Sequence, residues 1–585
     1  MRSRRLWMGW ISISLVQILM IGILPAGASF AGDAPSKAAH FTKVSIVNAA
    51  GLADPVTGRV FVIISRDKNT EPRLIMASYL GTSSHYAPFF AKDIESLRRG
   101  ATATINEVDV GFPLHSMQDI RAGDYTVQAL LNVYTEFTRA DGHTIWAHKD
   151  QGEGQNLQIA PGNLVSDPMR VHLDPQQGFS LTLRLTRVLG PIPTENDTQY
   201  IKHVRFKSKL ASAFWGKDMY VAATVVLPKG YDEHTDVHYP VIFDHGHYRE
   251  RVPFHFDEVN AHEGQDDARD LQTSVKVFSE AWRSNHFPRM ILVSLQHPTP
   301  FYDDSYFVNS PNTGPWDDVF MKEVIPFLEQ RFRIIRRPYA RVLAGISSGG
   351  WIAAALQIHH PNQFGGAWVS APDVLDFRDY IDGINLYFDN SAWYAPSNSG
   401  WPEFAPERPM LRAVNGQPLM TMRQFSQLSL ALGSHGRSGG WFDSQNAHWG
   451  PVGTDGYPLE VFDYRTGTIN HDVAKYWREH DYDLRDYLSR HWTTIGPQLK
   501  DKLHFSCGDM DIFYMNISMR RMESFLQHVQ NPVFSGDIKW GRPMIGHTWI
   551  GVGYDPWPTK MLQDIAANIV QHAAADDDSS RWHYN

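Results

Sequence analysis

Val342-Leu343-Ala344-Gly345-Ile346-Ser347-Ser348-Gly349-Gly350 is the stretch of this 585-residue chain that decides its fold. Its first three residues are apolar, as in a buried strand, and the sequence from Trp351 to His359 continues as a helix. A strand, a sharp turn and a helix around G-x-S-x-G form a nucleophile elbow, in which glycines permit the strained turn and expose the serine hydroxyl. The stretch predicts that Ser347 is a catalytic nucleophile. The alternative is a serine in an ordinary tight turn.

A second G-x-S-x-G sequence, Gly436-Arg437-Ser438-Gly439-Gly440, lacks this context. It follows a helix-like stretch from Met422 to Leu432 and runs into Trp441 without a strand before it. Because an elbow needs a strand on its N-terminal side, we interpret Ser438 as a loop residue.

The chain around the elbow alternates short apolar runs with helical ones. The runs from Pro240 to Phe243 and from Met290 to Leu295 have the continuous apolar character of buried parallel strands. Between such runs, the segment from Asp317 to Arg333 has an apolar stripe at helical spacing, formed by Phe320, Val324, Phe327 and Leu328. This alternation predicts an α/β architecture with a doubly wound, mostly parallel sheet.

A serine nucleophile needs a base and an acid, which follow it in this architecture in the order Asp or Glu, then His. The predicted strand from Lys502 to Cys507 is followed directly by Asp509 and Asp511. We prefer Asp511 as the acid of the triad, with Asp509 as the alternative. Asp373, just after the predicted strand from Ala367 to Ser370, is a third candidate.

His547 is the predicted base. A predicted helix from Asn516 to Val529 and a predicted strand from Val533 to Trp540 separate it from the acid, and it lies in the loop after that strand. The sheet would therefore bring Asp511 and His547 together although they are distant in sequence. Three other histidines of this region fall inside predicted strands or helices, where solvent exposure or packing explains them: His504, His528 and His572.

The oxyanion hole needs two backbone N–H donors. We assign one to Ser348 and the other to the loop after the strand at Pro240, at His247, with Tyr248 as the alternative. His245 and His247 also form a His-x-His pair that could bind a metal. We expect no metal and no cofactor, because a serine triad needs neither and no third ligand is evident.

The first 31 residues are typical of a signal peptide. Arg2, Arg4 and Arg5 precede an apolar run from Leu6 to Leu24, and small residues suitable for cleavage follow it. The alternative is an uncleaved membrane anchor. Cleavage predicts a periplasmic or secreted protein with no stable membrane insertion.

Two blocks follow the signal peptide. Residues 40–189 show short β-rich runs at close spacing, such as Ser180 to Thr186, and predict an antiparallel β-sandwich domain of immunoglobulin-like size. Residues 190–199 are rich in proline and polar residues and are predicted to be a linker. Residues 200–575 form the predicted catalytic domain.

Charge and cysteine content exclude several classes of function. The formal net charge of −9 gives no general electrostatic reason to bind nucleic acid. The single cysteine, Cys507, permits neither an intramolecular disulfide nor a cysteine-based metal site, and we interpret it as a small buried residue.

Five motifs together resemble those of the putative esterase family that includes esterase D, enterochelin esterase and feruloyl esterases. They lie between about residues 220 and 550, at 227–232, 239–246, 344–350, 508–511 and 546–549. The resemblance implies an α/β-hydrolase fold that hydrolyses carboxylic or thio esters through an acyl-enzyme on Ser347. It further implies that His547 acts as general base and acid and that Asp511 orients it.

Residues 374–498 depart from a compact member of that family and predict a cap over the active site. The segment holds one third of the 18 tryptophans, which could stack on a substrate or simply pack the cap onto the body: Trp393, Trp401, Trp441, Trp449, Trp477 and Trp492. We interpret the protein as a serine esterase for small-molecule or polysaccharide-linked esters. The alternatives are an acyltransferase, a serine peptidase, and a non-catalytic carbohydrate- or siderophore-binding protein with a hydrolase-like fold.

Overall fold

The structure is a computed structural model. It describes residues 41–49, 55–77, 86–246, 252–258, 269–396, 405–551, 558–573 and 581–582. The predicted signal peptide lies outside these described residues. Residues 41–585 belong to one compact unit. No helix in the described part of the chain has the length and hydrophobicity needed to cross a bilayer.

Residues 42–188 are dominated by strands. A large sheet is built from β1 Thr42–Asn48, β2 Val56–Ser65, β3 Phe89–Leu97, β4 Thr102–Asn106, β5 Gly111–Phe112, β6 Gly123–Val133, β9 Leu164–Ser166, β10 Met169–Leu173 and β11 Phe179–Val188. A separate hairpin consists of β7 Thr135–Thr138 and β8 Thr144–Ala147.

The strand order in this first sheet is β4-β1-β11-β9-β6-β2-β3-β5, and β10 pairs with β6. Most neighbours are antiparallel, but β1 and β11 run parallel. These are the first and last strands of the block, so no tight hairpin has to join them. The sheet is therefore mixed rather than purely antiparallel. A separate apolar core fills this block, with Val44, Val62 and Leu131 fully buried.

Residues 189–200 contain no helix or strand. A second sheet follows and is built from β12 Ile201–Ser208, β13 Met219–Val226, β14 Val241–His245, β15 Ile291–Gln296, β18 Arg341–Ile346, β19 Gly366–Ser370, β22 Leu503–Gly508 and β23 Asp537–Gly541. Two short hairpins complete the described strands, β16 Asn309–Ser310 with β17 Gly314–Pro315, and β20 Pro409–Arg412 with β21 Pro418–Thr421.

The order of the second sheet is β12-β13-β15-β14-β18-β19-β22-β23. The pairs β12–β13 and β13–β15 are antiparallel, and the pairs from β15 through β14 to β23 are parallel. The last strand is shorter than predicted, because Val533 is exposed and precedes it in a loop. Parallel strands end at one edge of a sheet, and Ser347, Asp373 and Asp511 lie just beyond β18, β19 and β22 there.

Helices connect these strands. They are α1 Lys209–Trp215, α2 Arg269–Trp282, α3 Trp316–Val319, α4 Ile325–Arg331, α5 Ser348–His359, α6 Met422–Leu432, α7 Trp441–Trp449, α8 His471–Glu479, α9 Leu484–Ile495, α10 Met515–His528 and α11 Thr559–His572. A π-helical segment, Phe320–Val324, joins α3 to α4.

Helices α6 to α9 lie in the segment 374–498. Three of them begin at a side-chain cap, formed by Thr421 with Gln424 for α6, by Asn470 for α8 and by Asp483 for α9. Such residues accept hydrogen bonds from otherwise unpaired first-turn N–H groups, which is why the helices start at these positions.

The first sheet packs directly against this segment through a set of ion pairs. Arg59 on β2 donates to the carbonyl oxygen of Ala431 over 3.0 Å and pairs with Asp93 over 2.7 Å. Arg437 pairs with the other oxygen of Asp93 over 3.0 Å and donates to the carbonyl oxygen of Trp146. Burial opposes the charge on Asp93, but the two guanidinium groups hold the pKa of its carboxyl below the ordinary value. We call these three side chains, Arg59, Asp93 and Arg437, the Asp93 clamp.

Candidate active site

Ser347 occupies the sharp turn between β18 and α5. Its backbone angles, φ 61° and ψ −126°, are rarely adopted by residues other than glycine and are the kind of strain found at functional sites. Its N–H donates to the carbonyl oxygen of Ser370, and its own carbonyl accepts from Trp351. Helix α5 therefore begins at Ser348, three residues earlier than the sequence predicts.

Gly349 explains how this turn packs. A Cβ added at this position would lie 1.9 Å from the carbonyl oxygen of His245, at the end of β14. The first turn of α5 is therefore pressed against the backbone of the neighbouring strand, and only glycine fits.

The predicted acid and base meet at the same edge of the sheet. Asp511 Oδ2 and His547 Nδ1 are 2.7 Å apart. The Asp511 side chain has no exposed surface, and its Oδ1 accepts backbone N–H groups of Phe513 over 2.8 Å and of Met515 over 3.3 Å. The ring of Phe513 lies 4.9 Å from that of His547. The carboxylate is thus fixed by the backbone and aimed at the imidazole.

Asp509, the alternative acid, has a different task in the structure. Its Oδ1 accepts the N–H of Ile545 over 2.9 Å, and the N–H of Met510 donates back to the carbonyl oxygen of Ile545. Gly508 lets this loop approach, since a Cβ there would lie 2.2 Å from the carbonyl oxygen of Gly546. Asp509 thus anchors the loop that carries His547.

Asp373, the third acid candidate, lies against the nucleophile. Ser347 Oγ donates to its Oδ1 over 3.3 Å. Its other oxygen accepts from Tyr306 and from Trp441, and neither contact is predicted from the sequence. Trp441 was among the tryptophans of the predicted cap, whereas no local pattern singles out Tyr306.

Of the predicted oxyanion donors, only Ser348 lies within the described residues. Ser348 is the first residue of α5, where backbone N–H groups have no acceptor inside the helix and favour negative charge. His247 and Tyr248 lie outside the described residues.

His245, the other member of the His-x-His pair, is part of the core. Burial lowers the pKa of its imidazole to about 3, and the ring packs 5.6 Å from Phe307 and 5.7 Å from Phe320. Neither ring nitrogen has a hydrogen-bond partner among the described residues. Those residues also contain no group of three or more His, Cys, Asp or Glu side chains placed to hold a metal ion.

Ser438, in the second G-x-S-x-G sequence, lies in the loop between α6 and α7. Its hydroxyl and its N–H both donate to Asp443 in the first turn of α7. Tyr464 donates to the other oxygen of that carboxylate over 2.7 Å. Ser438 therefore belongs to a buried network inside the segment 374–498.

Most of the described tryptophans of the segment 374–498 serve packing. Trp449 and Trp477 are fully buried with ring centres 5.3 Å apart, and Trp449 lies 4.9 Å from Trp351 of α5. Trp492 is also buried. Trp401 lies outside the described residues.

Residues 212–448 match the protein-family model described as putative esterase. This segment is similar to that family. The match confirms two predictions from the sequence, the resemblance to this family and the assignment as an ester hydrolase. Together with the mixed sheet it also identifies the α/β-hydrolase fold. The matched residues include Ser347 and Asp373 and end before Asp511 and His547.

Solved structures similar to this chain include esterases and other hydrolases. A ferulic acid esterase is 15% identical, with a TM-score of 0.31, over 63% of this chain and 98% of its own. A fluorophosphonate-binding serine hydrolase of Staphylococcus aureus is 14% identical, with a TM-score of 0.30, over 63% and 99%. An S-formylglutathione hydrolase from Agrobacterium tumefaciens is 9% identical, with a TM-score of 0.33, over 65% and 99%. No curated protein sequence matched this chain.

Proposed function

We propose that this protein is an exported carboxylic ester hydrolase that works through an acyl-enzyme on Ser347, with His547 as base and Asp511 as the acid. One observation carries the proposal: the 2.7 Å Asp511–His547 hydrogen bond stands at the sheet edge where the strained turn presents Ser347. A carboxylate on Nδ1 leaves Nε2 of the same ring as the proton acceptor for a serine hydroxyl.

The reaction follows from these positions. As Ser347 Oγ attacks the ester carbonyl, its proton passes to His547 Nε2, and the carbonyl oxygen becomes an oxyanion. Backbone N–H groups of Ser348 and, as we propose, His247 stabilise that charge. The carbon–oxygen bond to the alcohol breaks, and His547 returns the proton to the leaving alcohol. Water then repeats these steps on the acyl-enzyme and releases the acid.

The substrate class that we propose is a small-molecule or polysaccharide-linked ester. The residues 40–189 are, in this proposal, an immunoglobulin-like accessory domain joined by the linker 190–199 to a catalytic domain at 200–575. Export to the periplasm or the medium rests on the signal-like residues 1–31. N-terminal sequencing of the protein recovered from the periplasm or medium tests it, and an intact Met1 would refute cleavage.

The test of the activity is Ser347→Ala. The wild-type protein should release p-nitrophenol from short-chain acyl esters and be labelled by a fluorophosphonate, whereas Ser347→Ala should lose labelling and at least about 10⁴-fold in kcat. Ser438→Ala, in the second G-x-S-x-G sequence, is the matched control and should still be labelled. Hydrolysis that survives in Ser347→Ala would exclude the acyl-enzyme. Transfer of the acyl group to an added alcohol in preference to water would identify an acyltransferase.

A further inference from the structure

Asp373 joins the nucleophile and the segment 374–498 in the folded protein. It follows β19, and its side chain has no exposed surface. Its backbone N–H donates to the carbonyl oxygen of Ser347 over 3.0 Å, and its Oδ1 accepts the Ser347 hydroxyl over 3.3 Å. Both the backbone and the side chain of Asp373 therefore hold Ser347.

The second carboxylate oxygen faces helix α7. Trp441 donates its indole N–H to Oδ2 over 2.7 Å, and Gln445, one turn later on the same helix, donates over 3.5 Å. Tyr306 donates its hydroxyl to the same oxygen. These groups are N–H or O–H donors, as suits a carboxylate that acts as an acceptor.

The donors are themselves fixed by packing. The ring of Tyr306 lies 5.1 Å from Trp449, at the end of α7, and 5.5 Å from Trp351 in α5. The ring of Trp441 lies 6.3 Å from Phe513, whose own ring contacts His547. A displacement of α7 would therefore move Trp441 and Gln445, two of the donors on Asp373.

We propose that Asp373 is a positioning residue that holds the Ser347 oxygen for attack and makes its placement depend on helix α7 through Trp441. This inference rests on the proposed function of Ser347. A serine hydroxyl has one proton, which is donated to Asp373 in the structure and must pass to His547 during attack. Asp373 takes no proton in the reaction. Asp373 restricts the position of the Ser347 Oγ while the hydroxyl proton passes to His547. The Trp441 indole N–H in turn restricts the position of the Asp373 carboxylate.

The test is Trp441→Phe, which keeps an aromatic ring but removes the indole N–H. We expect kcat for a p-nitrophenyl ester and the rate constant for fluorophosphonate labelling to fall about tenfold, as for the loss of one hydrogen bond to a charged acceptor. KM should change less than about twofold, since an aromatic surface remains. Tyr306→Phe removes a second donor and should lower the labelling rate in the same direction.

The matched control is Trp393→Phe. Trp393 is a half-buried tryptophan of the same segment whose indole N–H donates to Ser426 over 3.1 Å, away from Asp373. It should leave the labelling rate at the wild-type value. Equal labelling rates and equal kcat values for Trp441→Phe and wild type would overturn the proposal. A change in KM alone would also overturn it and would indicate that Trp441 contacts substrate.

A double-mutant cycle tests the connection itself. If Trp441 acts through the carboxylate, Trp441→Phe should have much less effect in an Asp373→Asn background than in the wild type. Additive effects would refute the connection. A wild-type protein that no fluorophosphonate labels would instead refute the proposed function, so the two failures are distinguishable.

Discussion

Replacing Asp511 with asparagine removes the negative charge that faces His547 and keeps the shape of the side chain. The carboxylate is fully buried and lies 2.7 Å from Nδ1 of the imidazole. During attack the imidazole becomes positively charged, so the variant loses an attraction that exists chiefly in the transition state.

The size of the loss follows from the distance. Taking charge centres roughly 4 Å apart and an effective dielectric constant of about 20, the attraction is about 4 kcal/mol. That corresponds to a decrease in kcat of about 10³-fold. An asparagine amide that donates to Nδ1 would also hold the ring in the wrong tautomer and add to the loss.

The measurement is kcat for a p-nitrophenyl ester, with thermal unfolding by circular dichroism to verify that each variant is folded. Asp509→Asn is the matched control, because an asparagine oxygen can still accept the Ile545 N–H that Asp509 accepts. We expect Asp509→Asn to retain kcat within about threefold, as for a neutral substitute that keeps its hydrogen bond. A folded Asp511→Asn protein with near wild-type kcat, or a larger loss in Asp509→Asn, would refute this reasoning.

Two further predictions concern the packing around the site. Gly349→Ala should abolish activity or soluble expression, because its Cβ would lie 1.9 Å from a carbonyl oxygen of β14, whereas Gly190→Ala, with open space around it, should be silent in the same assays. Asp93→Asn should lower the free energy of unfolding, measured by urea denaturation at pH 7, by about 2 kcal/mol. This magnitude lies between those typical of solvent-exposed ion pairs and of buried ones. Arg59 and Arg437 lower the pKa of the Asp93 carboxyl in the folded protein. The extra stability of the wild type over Asp93→Asn is therefore present above the ordinary carboxyl pKa and is lost as the pH falls through the lowered pKa of Asp93. A stability difference between wild type and Asp93→Asn that does not decrease as the pH falls below the ordinary carboxyl pKa would contradict this assignment.

The sequence was sufficient for the parts of the site that local chain geometry determines. The Ser347 turn is specified by its own glycines, and the strand before it and the helix after it are read from neighbouring residues. The pair Asp511 and His547 could be predicted because each follows a strand, and parallel strands bring their ends together. The choice between Asp509 and Asp511 depended on which way each carboxylate points, which a one-letter pattern does not contain.

Contacts between distant segments could not be predicted. Tyr306 reaches Asp373 across 67 residues from a loop in which its own φ is 51°, a conformation without a sequence signature here. The parallel pairing of β1 with β11 likewise joins residues far apart in the chain. The contact between Asp373 and the Ser347 hydroxyl could not be predicted for the same reason, since a position just after β19 indicates only a candidate partner for histidine.

The Asp93 clamp has a consequence for how this protein can be divided. Arg59 and Asp93 belong to the first sheet, and they hold carbonyl groups and a guanidinium of the segment 374–498 that are largely buried. A chain shortened to begin at residue 200 would leave Arg437 without its carboxylate and would uncover the end of α6. The N-terminal block is therefore not an independent domain on a flexible linker that could be exchanged between enzymes. The shortened chain should lose both solubility and activity.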